Sequence, residues 1–359
     1  MTRALRHLTP RRLPVLLAVL LMALGPAAAA AASPDPILPQ QWALAKIHAQ
    51  EAWATSTGSG VVVAVVDSGV NFDHEDLRGQ SAGSFSCIGT CTPGGGDVNG
   101  HGTAVASVVA AAGNNGVGIS GVAPSAKVLS VRVLDADGTG TISDVAGGIV
   151  FAAEQGAKVI NISIGTSIDL PIVFGLLAPE LQTAIGAAWA KGAVVVAAAG
   201  NGGLASSFTS IPNLLVVGAT GPSDEIAAYS SSLTGVELHA PGGNHAGDRC
   251  SATACITVAE APNIYRATEG TSFAAPHVSG VAALLGALGL SNADIVARLK
   301  STADPIPRGT RLNAAKAVGP PRQASPPEPA APPSVLAAPP VARVQPATPA
   351  QKPSPSPVP

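Results

Sequence analysis

Five short apolar runs constrain this chain more than any other feature: VVVAVVD (61–67), AKVLSVRVLD (126–135), AKVINISIG (157–165), AVVVAAAGN (193–201) and NLLVVGAT (213–220). Each is apolar at consecutive positions rather than alternate ones, so a strand built from it must be covered on both faces. The intervening segments HGTAVASVVAAA, TISDVAGGIVFAAEQG and ELQTAIGAAWAKG have helical length and high alanine content. Strands that alternate with helices in this way predict an α/β fold, with a mostly parallel central sheet flanked by helices. In such folds the chemistry lies beyond the carboxyl ends of the strands. Asp67, Ser163 and Asn201 stand at three such ends.

The 359 residues divide into three parts. Residues 1–32 open with Arg3, Arg6, Arg11 and Arg12, continue through LPVLLAVLLMALG and end in an alanine run with small-residue cleavage frames before Ser33. This is the pattern of a signal peptide, and it predicts a secreted or cell-surface protein. Leu13 to Ala32 is the one run long enough to cross a bilayer, so the mature chain has no membrane span unless the leader is retained as an anchor. In residues 320–359, 15 of 40 positions are proline and most of the rest are Ala, Ser, Val or Gln. Such a Pro/Ala-rich tail is expected to be disordered, either as a spacer that reaches a wall or partner or as a plain solvated end. Residues 33–319 are left as one catalytic-size domain, expected to be a monomer. Charged residues are only 12% and the net charge is −2, so the composition indicates no phosphate-neutralising basic surface and no nucleic acid is expected as a partner.

The four cysteines fall as two close pairs, Cys87/Cys91 and Cys250/Cys255, for which three connectivities exist. Disulfides persist in an exported chain. Local pairing is preferred, with each bridge pinning a loop and constraining the unfolded chain by roughly 2 kcal/mol. Zinc is the competing reading; neither pair is spaced C-x-x-C, and no H-E-x-x-H occurs.

Three residues carry nucleophilic chemistry. Asp67 leaves a buried strand, where a carboxylate needs a partner. His101, in GHGTAVASVVAAA, opens a predicted helix between two glycines. Ser272, in EGTSFAAPHVSG, opens another, where unpaired N–H groups favour developing negative charge. Orienter, base and nucleophile in the order Asp, His, Ser match one known triad arrangement.

With DSGV, GHGT, SIG, AAAGN and GTSFAAPHVSG in this order, the chain resembles the subtilisin-family serine proteases (subtilases) from about Asp35 to about Val318. The resemblance implies a three-layer subtilisin-like fold and a secreted serine endopeptidase acting on polypeptides through an acyl-enzyme. It makes Ser272 the nucleophile, His101 the general base and acid, Asp67 its orienter, and Asn201 the side-chain donor to the oxyanion. Substrate is expected as an extended strand between Ser163-Ile164-Gly165 and Asp137-Gly138-Thr139-Gly140, with Ala198, Ala199 and Gly200 as a small-residue pocket wall. The resemblance also implies a structural calcium, held by Asp35, Asp76 and Asn115 of GNNGVGISG, and no catalytic cofactor.

The chain also departs from the family pattern. Only 34 residues, 33–66, separate the leader from Asp67, so no self-cleaved inhibitory prodomain is expected there. Reduced N-terminal control also resembles the mycosins, surface proteases tied to a secretion system. This makes a narrow-specificity processing or secretion-linked protease the alternative reading. Phe273 follows the nucleophile where an oxidisable methionine is common, and Ala104 replaces the second histidine of HGTH. His277 is expected to be a packed helix residue; His48, His74, His239 and His245 have no partner readable in the sequence. The segment between Gly165 and Trp189 is longer and more apolar than its counterparts, and residues 168–178 form either a hydrophobic rim at the site or an extra packed helix.

Overall fold

The structure is a computed structural model that describes residues 34–164, 179–202, 208, 211–231, 235–245 and 249–320. The leader, residues 321–359, Gly165 and the 168–178 segment lie outside the described residues. After a 3-10 turn (Leu38–Gln40) the elements run α1 (Trp42–Lys46), α2 (Ala49–Ala52), β1 (Val62–Asp67), β2 (Ser81–Ser86), β3 (Thr92–Pro93), α3 (His101–Ala110), β4 (Lys127–Arg132), α4 (Ile142–Glu154) and β5 (Val159–Ile162). They continue with α5 (Pro179–Ala190), β6 (Val194–Ala198), β7 (Leu214–Thr220), β8 (Leu238–Pro241), β9 (Ile256–Glu260), β10 (Ile264–Thr268), α6 (Thr271–Ala287), α7 (Asn292–Ser301), β11 (Asp304–Ile306), β12 (Gly309–Arg311) and α8 (Ala314–Val318).

The five apolar runs become β1, β4, β5, β6 and β7, which sit side by side in a ten-stranded sheet ordered β11-β12-β8-β7-β6-β5-β1-β4-β2-β3. All pairings from β12 to β2 are parallel, and only the outermost strands, β11 and β3, are antiparallel to their neighbours. The central position follows from composition, because a strand apolar on both faces is stable only where helices cover both faces. Val63 and Val65 point into a core shared with Val105 and Val109 of α3 and Val278 and Leu285 of α6. Ala64 and Val66, the alternate residues of the same strand, point into a second core with Ile149 of α4 and Leu181 and Ile185 of α5. Strand β6 divides the same way: Val194, Val196 and Ala198 on one side, Val195 and Ala197 on the other. The result is the expected three layers.

Between β4 and β5 the chain crosses over β1 by way of α4, so the strand order reverses at β1. A crevice at the carboxyl ends is the geometric consequence. Asp67 ends β1 at this point, α3 brings His101 to it, and Phe273 of α6 lies 5.9 Å from the His101 ring, centroid to centroid.

Candidate active site

Asp67 is fully buried, and its Oδ1 accepts the Ser68 backbone N–H at 2.7 Å. His101 Nδ1 lies 2.8 Å from Oδ1 and 3.0 Å from Oδ2. A carboxylate only accepts, so Nδ1 carries a proton, and in the neutral imidazole Nε2 is the free base. The Asp67 charge raises the His101 pKa above its ordinary value. Burial opposes the shift, the hydrogen bond to Asp67 and the charge of Asp97 reinforce it, and Arg266 opposes it.

Asp97, which sequence reasoning missed, holds His101 in place. Its Oδ1 accepts from Ser68 Oγ (2.8 Å), Asn99 N (3.0 Å) and Gly100 N (2.8 Å), and its Oδ2 accepts from Thr103 N (2.9 Å) and Thr103 Oγ1. Burial pushes its carboxyl upward, but these donors outweigh burial and hold its pKa below the usual range. It thereby satisfies the open end of α3. An acidic residue a few positions ahead of a predicted helix start was the available signal. Ser68 closes the ring by accepting from Gly102 N at 3.0 Å. Gly102 is needed there, since a Cβ would stand 2.0 Å from the Gly69 carbonyl oxygen.

Ser272 is the second residue of α6. Pro276, four residues on, has no N–H to give the Ser272 carbonyl. The Ser163 hydroxyl gives one instead, at 2.8 Å, and the Ser272 hydroxyl donates in return to the Ser163 carbonyl at 3.0 Å. Behind them Asn161 Nδ2 donates to Ser163 Oγ (2.9 Å) and Ser279 Oγ donates to Asn161 Oδ1 (2.8 Å), all in the buried core. The Asn161–Ser279 bond was not legible in the sequence, because the chain separates the two by 118 residues. The Ser272 hydroxyl thus rests on Ser163 rather than on His101.

Asn201 Oδ1 accepts from Thr271 N (3.0 Å) and Thr271 Oγ1 (2.9 Å), which fixes the amide with Nδ2 as the outward donor. Thr271 Oγ1 in turn accepts from Gly200 N at 3.1 Å. At Gly270 (φ 149°) even a Cβ would come only 3.5 Å from Asn201 Nδ2.

Ser163 and Ile164 follow the carboxyl end of β5. Residues 137–140 lie in an exposed loop shaped by Asp135, which accepts from Asp137 N (3.0 Å), Thr139 N (2.9 Å) and Thr139 Oγ1 (2.8 Å). Gly138 takes the left-handed conformation that the turn requires (φ 75°). Ala198 and Ala199, at the end of β6, are buried in opposite core layers. Asn99 Nδ2 donates to the Ala136 carbonyl at 3.0 Å and ties this loop to the His101 segment. His277 is buried and donates from Nδ1 to the Phe273 carbonyl at 2.7 Å; burial pushes its pKa down to about 4. It is a packed helix residue.

Asp35, Asp76 and Asn115 meet on the loop after α3. Asp35 accepts from Asn114 N and Asn115 N, both at 2.9 Å. Asp76 accepts from Asn115 Nδ2 (3.0 Å), Ile119 N (2.8 Å) and Tyr265 Oη (2.9 Å). Both carboxylates are buried, yet among the described residues neither is ion-paired to a lysine or arginine. Burial accordingly pushes the Asp76 pKa up against those hydrogen bonds. The two carboxylates offer oxygens of the kind a hard divalent cation takes, while Asn115 turns its Nδ2 to Asp76 and its Oδ1 to Val117 N at 3.0 Å, so its amide would have to turn to serve as an oxygen ligand. Both close cysteine pairs, Cys87–Cys91 and Cys250–Cys255, are disulfides, as expected.

A buried strand-end carboxylate on an imidazole and a serine at a helix N-terminus, on an α/β sheet, are the groups that a serine hydrolase uses. The comparisons make the class specific: the Subtilase family profile matches residues 58–325, and the chain belongs to that family of serine proteases. It is 41% identical over 288 residues to thermitase from Thermoactinomyces vulgaris, covering 78% of this chain and 96% of that protein. It is 38% identical to subtilisin BL from Lederbergia lenta, covering 73% and 90%. Among solved structures, a protease from Pseudoalteromonas arctica PAMC 21717 superposes with a TM-score of 0.71 at 32% identity, covering 80% of this chain and 98% of that one. A cold-adapted subtilisin-like serine proteinase gives 0.61 at 30%, covering 72% and 90%. Among the described residues no helix is long and apolar enough to cross a membrane.

Proposed function

We propose that the chain is a secreted serine endopeptidase in which Asp67, His101 and Ser272 form the catalytic triad. The observation that carries the reading is the His101 Nδ1 contact with both Asp67 oxygens, which makes Nε2 the nitrogen that takes up the proton. Ser272 Oγ attacks the scissile carbonyl as His101 Nε2 takes its proton, and Asp67 stabilises the imidazolium. Asn201 Nδ2 and the Ser272 backbone N–H hold the oxyanion at the start of α6. The tetrahedral species collapses to the acyl-enzyme as His101 passes the proton to the leaving amine. Water then attacks the ester by the same base and releases the acid. Substrate runs as an extended strand between residues 163–165 and 137–140, with Ala198 to Gly200 behind the side chain that precedes the cut.

The test compares residues 33–359 with the same chain carrying Ser272→Ala, for covalent labelling by a fluorophosphonate and for casein cleavage. Both are expected in the parent and neither in the variant. Labelling without casein cleavage selects the narrow, secretion-linked reading, and no labelling of the folded parent refutes the triad.

Calcium belongs to the same proposal as a structural ion on Asp35, Asp76 and Asn115, where it supplies the positive charge that the two buried carboxylates lack.

A further inference from the structure

His245 had no partner readable in the sequence, and the C-x4-C spacing of Cys250 and Cys255 argued for a disulfide over zinc. The fold adds a fourth residue to this corner. Glu269, three positions before Ser272, lies with its Oε2 2.8 Å from His245 Nδ1 and accepts the His245 backbone N–H at 3.0 Å. His245 Nδ1 is buried and makes no hydrogen bond, because Glu269 lies off the direction of an N–H. The ligand atoms of His245, Cys250, Cys255 and Glu269 all fall within 4.8 Å of one another.

The corner is also held by bonds that do not involve sulfur. Cys255 N and Ala254 N donate to the Ser251 carbonyl at 2.8 and 3.0 Å, and Asn244 N donates to the Ala254 carbonyl at 3.0 Å. Trp42 Nε1 holds the Cys255 carbonyl at 2.8 Å, and Asn244 Nδ2 holds Glu225 at 3.0 Å. Gly243 packs so closely that a Cβ there would meet Glu269 Cβ at 3.0 Å and Cys255 Cα at 3.1 Å. Bonds without sulfur thus hold Asn244, Cys255 and Ser251, the chain neighbour of Cys250, when the S–S bond opens.

We propose that reduction of Cys250–Cys255 by a dithiol converts this corner into a zinc site formed by Cys250 Sγ, Cys255 Sγ, His245 Nδ1 and a Glu269 oxygen. The dithiol passes two electrons and two protons to the S–S bond and leaves as its own disulfide; two protein thiols result. Zinc binding displaces both thiol protons to solvent, and His245 binds through the neutral imidazole. Sulfur and nitrogen donors suit zinc rather than calcium or magnesium. A tetrahedral zinc with bonds of about 2.0 to 2.3 Å places its ligands roughly 3.3 to 3.8 Å apart, inside the 4.8 Å that encloses the four ligand atoms here.

The test uses the full chain carrying Ser272→Ala, so that self-digestion does not intrude, reduced with dithiothreitol and desalted without oxygen. Cobalt(II) is titrated as the spectroscopic probe and then displaced by zinc. One equivalent with thiolate-to-cobalt charge transfer and tetrahedral d–d bands is expected in the reduced protein and none in the oxidised protein. His245→Ala is expected to weaken binding at least tenfold, and Cys87→Ser/Cys91→Ser to leave it unchanged. Absence of the thiolate band, or an affinity unaltered by His245→Ala, overturns the proposal. The readout does not depend on proteolysis, so its failure leaves the protease reading standing, and the reverse also holds.

Discussion

Asp67 and Asp97 both stabilise the protonated form of His101, but in different ways: Asp67 touches the ring and Asp97 acts through its charge. A raised pKa means that the free base appears only above the ordinary histidine value, so the acid limb of kcat/KM is expected above pH 6.5. The sign for stability is opposite. The His101–Asp67 pair stabilises the fold fully below the unfolded value near 6.5, and this contribution is lost as pH rises through the raised folded value. Asp97→Asn removes one negative charge and should move the acid limb downward, as read from the pH profile of kcat/KM; an unmoved limb counts against the electrostatic role. Asn201→Ala removes a donor worth about 3 kcal/mol to the transition state, so kcat should fall by about a hundredfold with KM nearly unchanged. Equal losses in binding and turnover would sink the oxyanion assignment. Phe273 packs 5.9 Å, centroid to centroid, from the His101 ring and carries no sulfur, so activity is expected to survive mild peroxide treatment.

Helix α6 joins the nucleophile to the core, and its composition explains how. Ala, Val, Gly and Leu dominate its buried positions because it lies against the sheet and crosses α3 closely. A Cβ at Gly280 would stand 2.5 Å from Val122 Cβ, so Gly280→Ala should cost about 1 to 3 kcal/mol and lower Tm by several degrees in calorimetry. Sequence reading placed α6 from its pattern but could not see why it carries a proline. Pro276 leaves the Ser272 carbonyl free for Ser163, which joins the helix to the end of β5. Strands β2 and β3, with SAGSFS and TP, carried no apolar run and were not anticipated. They pair at the sheet margin, where one-sided or no burial leaves hardly any hydrophobic signal.

At the scale of the whole molecule, the described part of the chain is held by two apolar cores, one on each face of the sheet, and by the loop that Asp35, Asp76 and Asn115 close. If calcium compensates those two buried carboxylates, a calcium-selective chelator should lower Tm and added calcium should restore it. An unchanged melt would mean that the protein's own N–H and O–H donors are enough. The sequence by itself determined the layered α/β class and the central strands, because uninterrupted apolar runs have to be covered on both faces. It also marked Asp67, His101, Ser272 and Asn201, since each stands in a short motif at a predicted element end. Only the tertiary structure decided what holds them. Asp97 is near His101 in sequence and carries only the weak signal of an acid ahead of a helix start, and Asn161, Ser279, Thr271 and Glu269 join partners that the chain separates by 24 to 118 residues. Local pattern records which residues must be buried or must end an element. Hydrogen-bond partners brought together by the crossing at β1 leave no periodicity in the sequence and exist only once the sheet has closed.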